Sequence, residues 1–256
     1  MPVWLRQTDV PLFVSTRRLH HRKRLPRARG PIAIDSAGYS ELSLYGEWRT
    51  SPRVYVADVR RYAAEIGRVE WAAPQDWMCE PGVRQKTGKS VLEHQALTIT
   101  SVLELRTLAP EIPWAPVLQG YVLEDYLRHV EAYARAGIDL TAEPIVGVGT
   151  VCRPQATDEA CAILQQLYEL GLRLHGFGFK KQGVLRSAHY LASGDSMAWS
   201  FDARRMQRPV CGSRTHKNCA NCLRFALQWR SALLRGLQAP SQLRLWDAAP
   251  RQPSLF

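Results

Sequence analysis

Residues 31–40 read PIAIDSAGYS: the apolar run Pro31-Ile32-Ala33-Ile34 is broken by the carboxylate of Asp35, the hydroxyl of Ser36 and the glycine at Gly38. An apolar run that short, bounded by turn residues, fits a buried strand. The pattern recurs along the chain, with candidate strands at 12–15, 31–36, 69–73, 114–119, 145–151, 172–179 and 196–200. Between most of them, 56–66, 91–108, 123–136 and 158–170 carry apolar residues at three- and four-residue spacing. Gly67, Gly137 and Gly171 stand where a glycine ends a helix. A last, long and basic helix is predicted over 219–237.

Strands separated by helices call for a parallel sheet, and seven of them in this length suit a (β/α)8 TIM-like barrel, regular or irregular, better than an open doubly wound sheet. An eighth strand is not evident. Gly147-Val148-Gly149-Thr150 lacks the third glycine and the helix start of a dinucleotide fingerprint, and Lys86 to Ser90 lacks the first glycine of a P-loop. Neither a dinucleotide nor a nucleoside triphosphate is implied.

With 256 residues, 46% of them hydrophobic, the chain can bury a sizeable core. Its 34 Lys+Arg against 23 Asp+Glu give a net charge of +11, which attracts polyanions, nucleic acid first among them. Part of that excess is concentrated in Arg17, Arg18, Arg22, Lys23, Arg24, Arg27 and Arg29, with Lys180, Lys181, Arg204 and Arg205 further on. Such a run is either a solvated face or a phosphate contact. No window has signal-peptide or membrane-spanning character, so a cytoplasmic protein with no membrane partner is expected.

Cys211-x4-His216-x2-Cys219-x2-Cys222 brings four soft or borderline ligands within twelve residues, a set suited to closed, tetrahedral, structural Zn2+. The plainer alternative is a reduced CxxC pair at a helix start. Cys79, Cys152 and Cys161 have no such spacing and read as buried thiols.

Polar residues recur at the candidate strand ends: Asp35-Ser36, Gln75-Asp76, Gln119-Gly120, Gly147 to Thr150, and Asp195 opening the last strand. In a barrel the strand C-termini share one face, so these would converge on one pocket. Singly, each also reads as a cap or turn residue.

Jointly the segments resemble a family. IDSAGYS is similar to the DSGGFQ-type loop of the queuosine and archaeosine transglycosylases, PQDWMC to their aspartate-plus-cysteine segment, VLQG to their VQGG, VGVGTVC to their GLAVGE turn, and HGFGF with SGDSMAWS to the region around their nucleophile. The resemblance runs over residues 34–200 and is nearest to the deazapurine DNA-modification transglycosylases, the DpdA family. It implies that guanine in DNA is exchanged for a 7-deazaguanine base such as the 7-cyano form. Asp195 would be the nucleophile, with Asp202 in reserve because the Pro-Thr-Arg element of the tRNA enzymes is missing. Asp35 would be the acid/base. Asp76, Gln119, Gly120, Ser36 and the backbone around Gly147 and Gly149 would hold the base, and Tyr39 would stack on it.

The domains expected are a catalytic barrel over 1–205, a zinc segment and helix over 206–240, and a tail over 241–256. Gln242 to Trp246 and Gln252 to Phe256 resemble the Q-x-x-L-F peptides that dock on sliding clamps. Helper proteins for strand opening are a further expected partner class. A tRNA-guanine transglycosylase and a non-catalytic nucleic-acid-binding paralogue are the alternatives.

Overall fold

A computed structural model describes residues 2–150, 157–213 and 215–238. Cys152 and both clamp-like segments of the tail lie outside the described residues. Among the described residues seven short strands form: β1 (Leu12–Ser15), β2 (Ile32–Asp35), β3 (Val69–Ala72), β4 (Val117–Leu118), β5 (Val146–Val148), β6 (Leu174–Gly176) and β7 (Leu191–Gly194). Helices α1 (Gly38–Tyr45), α2 (Pro52–Ile66), α3 (Pro81–Thr87), α4 (Val91–Leu108), α5 (Leu123–Arg135), α6 (Asp158–Glu169), α7 (Lys181–Ser187), α8 (Ala198–Met206) and α9 (Leu223–Leu237) fill the connections. Sequence periodicity predicts α4 with these bounds, because Ser90 and Glu93 close a capping box before its first turn. Gly67, Gly137 and Gly171 follow α2, α5 and α6 at φ of 67°, 81° and 85°, values that favour a residue without a Cβ.

All pairings are parallel, in two sheets ordered β1-β2-β3 and β4-β5-β6-β7. The barrel expected from the sequence is therefore not found closed. Among the described residues no eighth strand appears and β7 does not pair with β1. Ala72 and Trp114 form an isolated parallel bridge between the sheets. The interruption has a local cause. Pro116 and Leu118 turn their carbonyls to β5, where Gly147 and Gly149 donate to them, so Val117 and Gln119 present their backbone to the β3 side. There side chains take the place of a strand. The Tyr133 hydroxyl accepts from Val117 N at 3.2 Å and donates to Val117 O at 3.0 Å. His129 Nδ1 accepts from Gln119 N at 3.0 Å, and Gln95 Nε2 donates to Gln119 O at 2.8 Å. Burial lowers His129 to about 4 and keeps its ring neutral.

Each sheet has its own core. Ile32, Ile34, Val59, Tyr62, Ile66 and Trp114 pack with the first, and Leu118, Val146, Val148, Leu164, Leu167 and Leu174 with the second. Helix α4 serves both, giving Val102 to one and Leu105 to the other. Between the sheets an aromatic cluster joins them: Phe13 of β1 and Trp71 of β3 lie 5.4 and 4.9 Å from the ring of His175 in β6, centroid to centroid.

One expected strand is corrected. Residues 196–200 belong to α8 and the preceding turn, while the seventh strand is 191–194. A short apolar run does not distinguish strand from helix, and Leu191-Ala-Ser-Gly is a mostly exposed edge strand with little apolar signal. As a result Asp195 closes a strand instead of opening one. Cys79 is buried as expected, but Cys161 is only partly buried on α6, its thiol toward Arg186 O. No described helix is long and apolar enough to cross a membrane.

Tyr133→Phe should leave the Val117 N–H and C=O unpaired in the interior and cost about 1–3 kcal/mol of stability, measured by urea unfolding.

Candidate active site and metal centre

Because every strand runs in the same direction, all the C-terminal strand ends lie on one edge. Asp35 ends β2, Asp76 follows β3, Gln119 follows β4, Gly149-Thr150 follows β5, His175 and Gly176 end β6, and Asp195 follows β7.

After Ala72 the chain leaves the strand and runs inward as an extended segment carrying Asp76. Its alternate backbone N–H groups meet hydroxyls: Gln75 N donates to Ser101 Oγ at 3.0 Å, Trp77 N to Thr98 Oγ1 at 2.9 Å and Cys79 N to Thr150 Oγ1 at 3.0 Å. His94 Nδ1 lies 2.6 Å from Met78 O. Ser101, Thr98 and His94 all come from the buried face of α4. That fastening aims Asp76 at Gln119, whose Nε2 donates to Asp76 Oδ2 at 2.6 Å. Gln119 Oε1 in turn accepts from Thr150 Oγ1 at 2.8 Å. Burial raises Asp76 to about 7, the charges of Asp35 and Glu80 adding to the rise against the Gln119 hydrogen bond.

Asp35 is set by the turn behind it: its Oδ1 accepts from Ala37 N at 2.9 Å, with Ala37 at a φ of 69°. Burial raises its pKa, the Ala37 and Ser15 hydrogen bonds oppose that rise, and the charge of Asp195 adds to it. Asp195 Oδ1 accepts from Gly178 N at 2.9 Å, and its backbone is tied to Gly176 and Phe179. The edge thus holds Asp35, Asp76 and Asp195, with Asp35 in the field of Asp195 and Asp76 in that of Asp35 and of the buried Glu80. Such a set can separate a proton-holding acid from an ionised one. The reserve candidate, Asp202, sits within α8 beyond this edge.

The glycines serve through their missing side chains. A Cβ on Gly149 would lie 2.3 Å from Gln119 Nε2, and one on Gly147 2.5 Å from the Phe177 ring. Their N–H groups already donate to Leu118 and Pro116, so the sheet takes the donors that the sequence pattern suggested for a base. Gly120 packs its Cα against Asp125 and Tyr126. Tyr39 is 52% exposed at the start of α1 on the same edge, and Ser36 is buried.

A cavity of about 180 Å³ opens beside Asp35, lined by Arg17, Ser36, Ala37, Trp48, Tyr55 and Gln75 among others. A larger groove, of about 320 Å³, runs along α9, and Asp35, Asp76 and Asp195 line neither. Arg17, Arg18, Arg22, Lys23 and Arg24 are exposed on the segment after β1, Lys180 and Lys181 after β6, and Arg204 and Arg205 on α8 after β7. These segments begin at the acidic edge, and the one after β1 runs along α2 toward the opposite edge, where Leu25 N donates to Glu65 and Ala28 N to Ile66 O. Sequence reasoning gave no role to His175, Glu80, Thr150 or Phe177, although His175 opens the HGFGF segment.

The ligand atoms of Cys211, His216, Cys219 and Cys222 lie within 4.8 Å of one another. His216 Nε2 is 3.4 Å from Cys211 Sγ and 3.5 Å from Cys219 Sγ. These spacings approach the ~3.8 Å edge of a tetrahedron of thiolates around zinc, so the residues fit a four-coordinate ion. A backbone hydrogen bond from Ser213 lowers the Cys211 thiol to about 7, toward the ligating thiolate form. The cluster packs on Ala203 of α8, and Ser200 Oγ donates to Ala220 O at 2.8 Å, so this centre couples α8 to α9.

Two outcomes are expected. Cys219→Ser should abolish binding of one metal ion per chain, read by elemental analysis, and give a lowered Tm that no longer responds to a chelator. Folded Asp76 keeps its proton up to about pH 7 whereas an exposed aspartate releases it near 3.8, so the fold loses stability as pH rises through that window. Asp76→Asn should accordingly be more stable than wild type by on the order of 2 kcal/mol at about pH 8, with the gap closing toward about pH 4 in pH-dependent unfolding.

No curated protein matches the chain. A family model does, over residues 1–249, and its description is DpdA, DeoxyPurine in DNA protein A. The match takes in every described strand, Asp35, Asp76, Asp195 and the Cys/His cluster, and the chain belongs to the DpdA family.

Proposed function

We propose that this protein exchanges guanine in DNA for a 7-deazaguanine, such as the 7-cyano base, through a covalent aspartyl-deoxyribose intermediate. The observation that carries the reading is the convergence of Asp35, Asp76 with Gln119, and Asp195 on one edge of parallel strands. Membership of a family described by deoxypurine in DNA supports the polymer and the class of base.

A glycosidic bond breaks through an oxocarbenium-like transition state, which needs a carboxylate at C1′ and an acid for the departing base. The Asp195 carboxylate attacks C1′. The C1′–N9 bond breaks, its electron pair leaves with guanine, and Asp35 gives up the proton that burial helps it retain. The incoming deazaguanine attacks C1′ through N9, returns its N9 proton to Asp35 and expels the Asp195 carboxylate. Asp76, once it has released the proton that burial holds up to about pH 7, accepts from N1–H and the 2-amino group, which adenine does not offer in that arrangement. One Gln119 Nε2 hydrogen is bound to Asp76, and the second is the donor for O6. Tyr39 stacks on the base from the rim.

A guanine in duplex DNA must be flipped, or arrive single-stranded, to reach this edge. The exposed basic residues after β1, β6 and β7 hold the flanking phosphates. The two sheets act as an interrupted barrel over 1–205, and 206–240 is the metal segment. Zinc, held by Cys211, His216, Cys219 and Cys222, supplies structural cross-linking and no reaction step. The tail beyond 241 is proposed to tether the protein to a sliding clamp through Gln252 to Phe256, and strand-opening partners complete the set.

The test is uptake of labelled deazapurine by DNA and by tRNA. Wild type should label DNA and form an adduct that survives denaturation, whereas Asp195→Ala should lose at least ~10³-fold in exchange and form no adduct. Exchange or adduct formation by Asp195→Ala would refute the mechanism, and labelling of tRNA alone would refute the substrate.

A further inference from the structure

We infer that His175 is a positioning residue for Asp195: its Nε2–H and the Gly178 N–H together hold Oδ1, which leaves Oδ2 as the oxygen that attacks C1′. The inference rests on the proposed role of Asp195 and adds a residue to which the sequence pattern assigned no task.

The strand register creates the arrangement. His175 of β6 stands opposite Ser193 of β7, and Asp195 lies two residues beyond Ser193, on the same face. The imidazole therefore touches both. His175 Nδ1 is 2.8 Å from Ser193 Oγ, and Nε2 is 3.6 Å from Asp195 Oδ1. The ring is confined by Phe13, Trp71 and Phe177, whose centroids lie 5.4, 4.9 and 5.0 Å away, and its side chain is 5% exposed. Nε2 is buried and makes no hydrogen bond. A buried polar atom without a partner costs about 1–3 kcal/mol, so a histidine here asks for a reason.

The tautomer follows from the neighbours. If Nδ1 carried the proton, the Nε2 lone pair would face a carboxylate oxygen. With the Ser193 hydroxyl donating to Nδ1, the proton sits on Nε2 and faces Asp195. The 3.6 Å separation exceeds a hydrogen bond by about 0.6 Å, a gap that closes when substrate seats the carboxylate, as contacts of this kind do on complex formation. Gly178 N already binds the same oxygen at 2.9 Å. Two donors on Oδ1 fix the plane of the carboxylate. In the first step Oδ2–C1′ forms as C1′–N9 breaks; in the second, the carboxylate leaves as the new C1′–N9 bond forms, and the donors on Oδ1 stabilise its returning charge.

The experiment compares His175→Phe, which keeps a ring among Phe13, Trp71 and Phe177 but has no donor, with His175→Gln, which restores an N–H near Nε2. Exchange is measured at saturating DNA, and KM for DNA alongside. His175→Phe should lower kcat by roughly 10- to 100-fold with KM within about twofold of wild type. His175→Gln should recover most of that loss, and Ser193→Ala, at an exposed position, should lower kcat by several-fold. The inference is overturned if His175→Phe keeps kcat within about twofold, or if Gln is no better than Phe. Should His175→Phe fail to fold, as judged by Tm and metal content, an unchanged kcat in Ser193→Ala overturns it instead. Asp195→Ala run in parallel separates the two ideas: an active Asp195→Ala removes the mechanism itself, whereas an inactive one beside an unimpaired His175→Phe removes only the role of the histidine.

Discussion

The structure depends on a segment that continues β3 into the interior without a neighbouring strand. Backbone N–H groups there must find partners or cost about 1–3 kcal/mol each, and Gln75, Trp77 and Cys79 find them in the hydroxyls of Ser101, Thr98 and Thr150. With the backbone so fixed, the Asp76 carboxylate meets Gln119 Nε2, and Thr150 Oγ1 links Cys79 N to Gln119 Oε1. The same helix, α4, sends Gln95 to Gln119 O and places Val102 and Leu105 in the two cores. One buried polar face thus holds the Asp76–Gln119 pair and joins the two sheets.

The sheet interruption and the edge of acids are two results of this arrangement. Where a ladder would run from β4 toward β3, Tyr133, His129 and Gln95 intervene, and room remains for carboxylates at the strand ends. Burial raises both Asp35 and Asp76 with no cationic side chain among the influences on either. Stability is given up at this edge for groups that hold and release protons, a pattern common at reactive sites. The aromatic cluster of Phe13, Trp71, His175 and Phe177 closes the space between the sheets beneath those acids.

Much of this was legible from residue order. The α4 pattern, the glycines after α2, α5 and α6, and the C-x4-H-x2-C-x2-C spacing each express a local rule, since capping, positive φ and ligand reach are set within a few residues. The seventh strand was not legible, because Leu191 to Gly194 is mostly exposed and short while the apolar residues after it serve a helix. His175 was hidden for another reason. A histidine in an aromatic-rich strand reads as core, and only the β6–β7 register brings Asp195 to its Nε2.

By itself, the sequence determined the parallel α/β alternation, the acids at strand ends, the four-ligand cluster and the family, all of which depend on the types and spacing of nearby residues. The tertiary structure decided which acids lie in one another's fields, that Gly147 and Gly149 spend their N–H groups on the sheet, that α4 fastens the Asp76 segment, and that the sheet divides between β3 and β4. These rest on partners 16 to 71 residues apart, and pairings at that separation are selected by packing and by the need to satisfy buried polar groups, which no local pattern encodes.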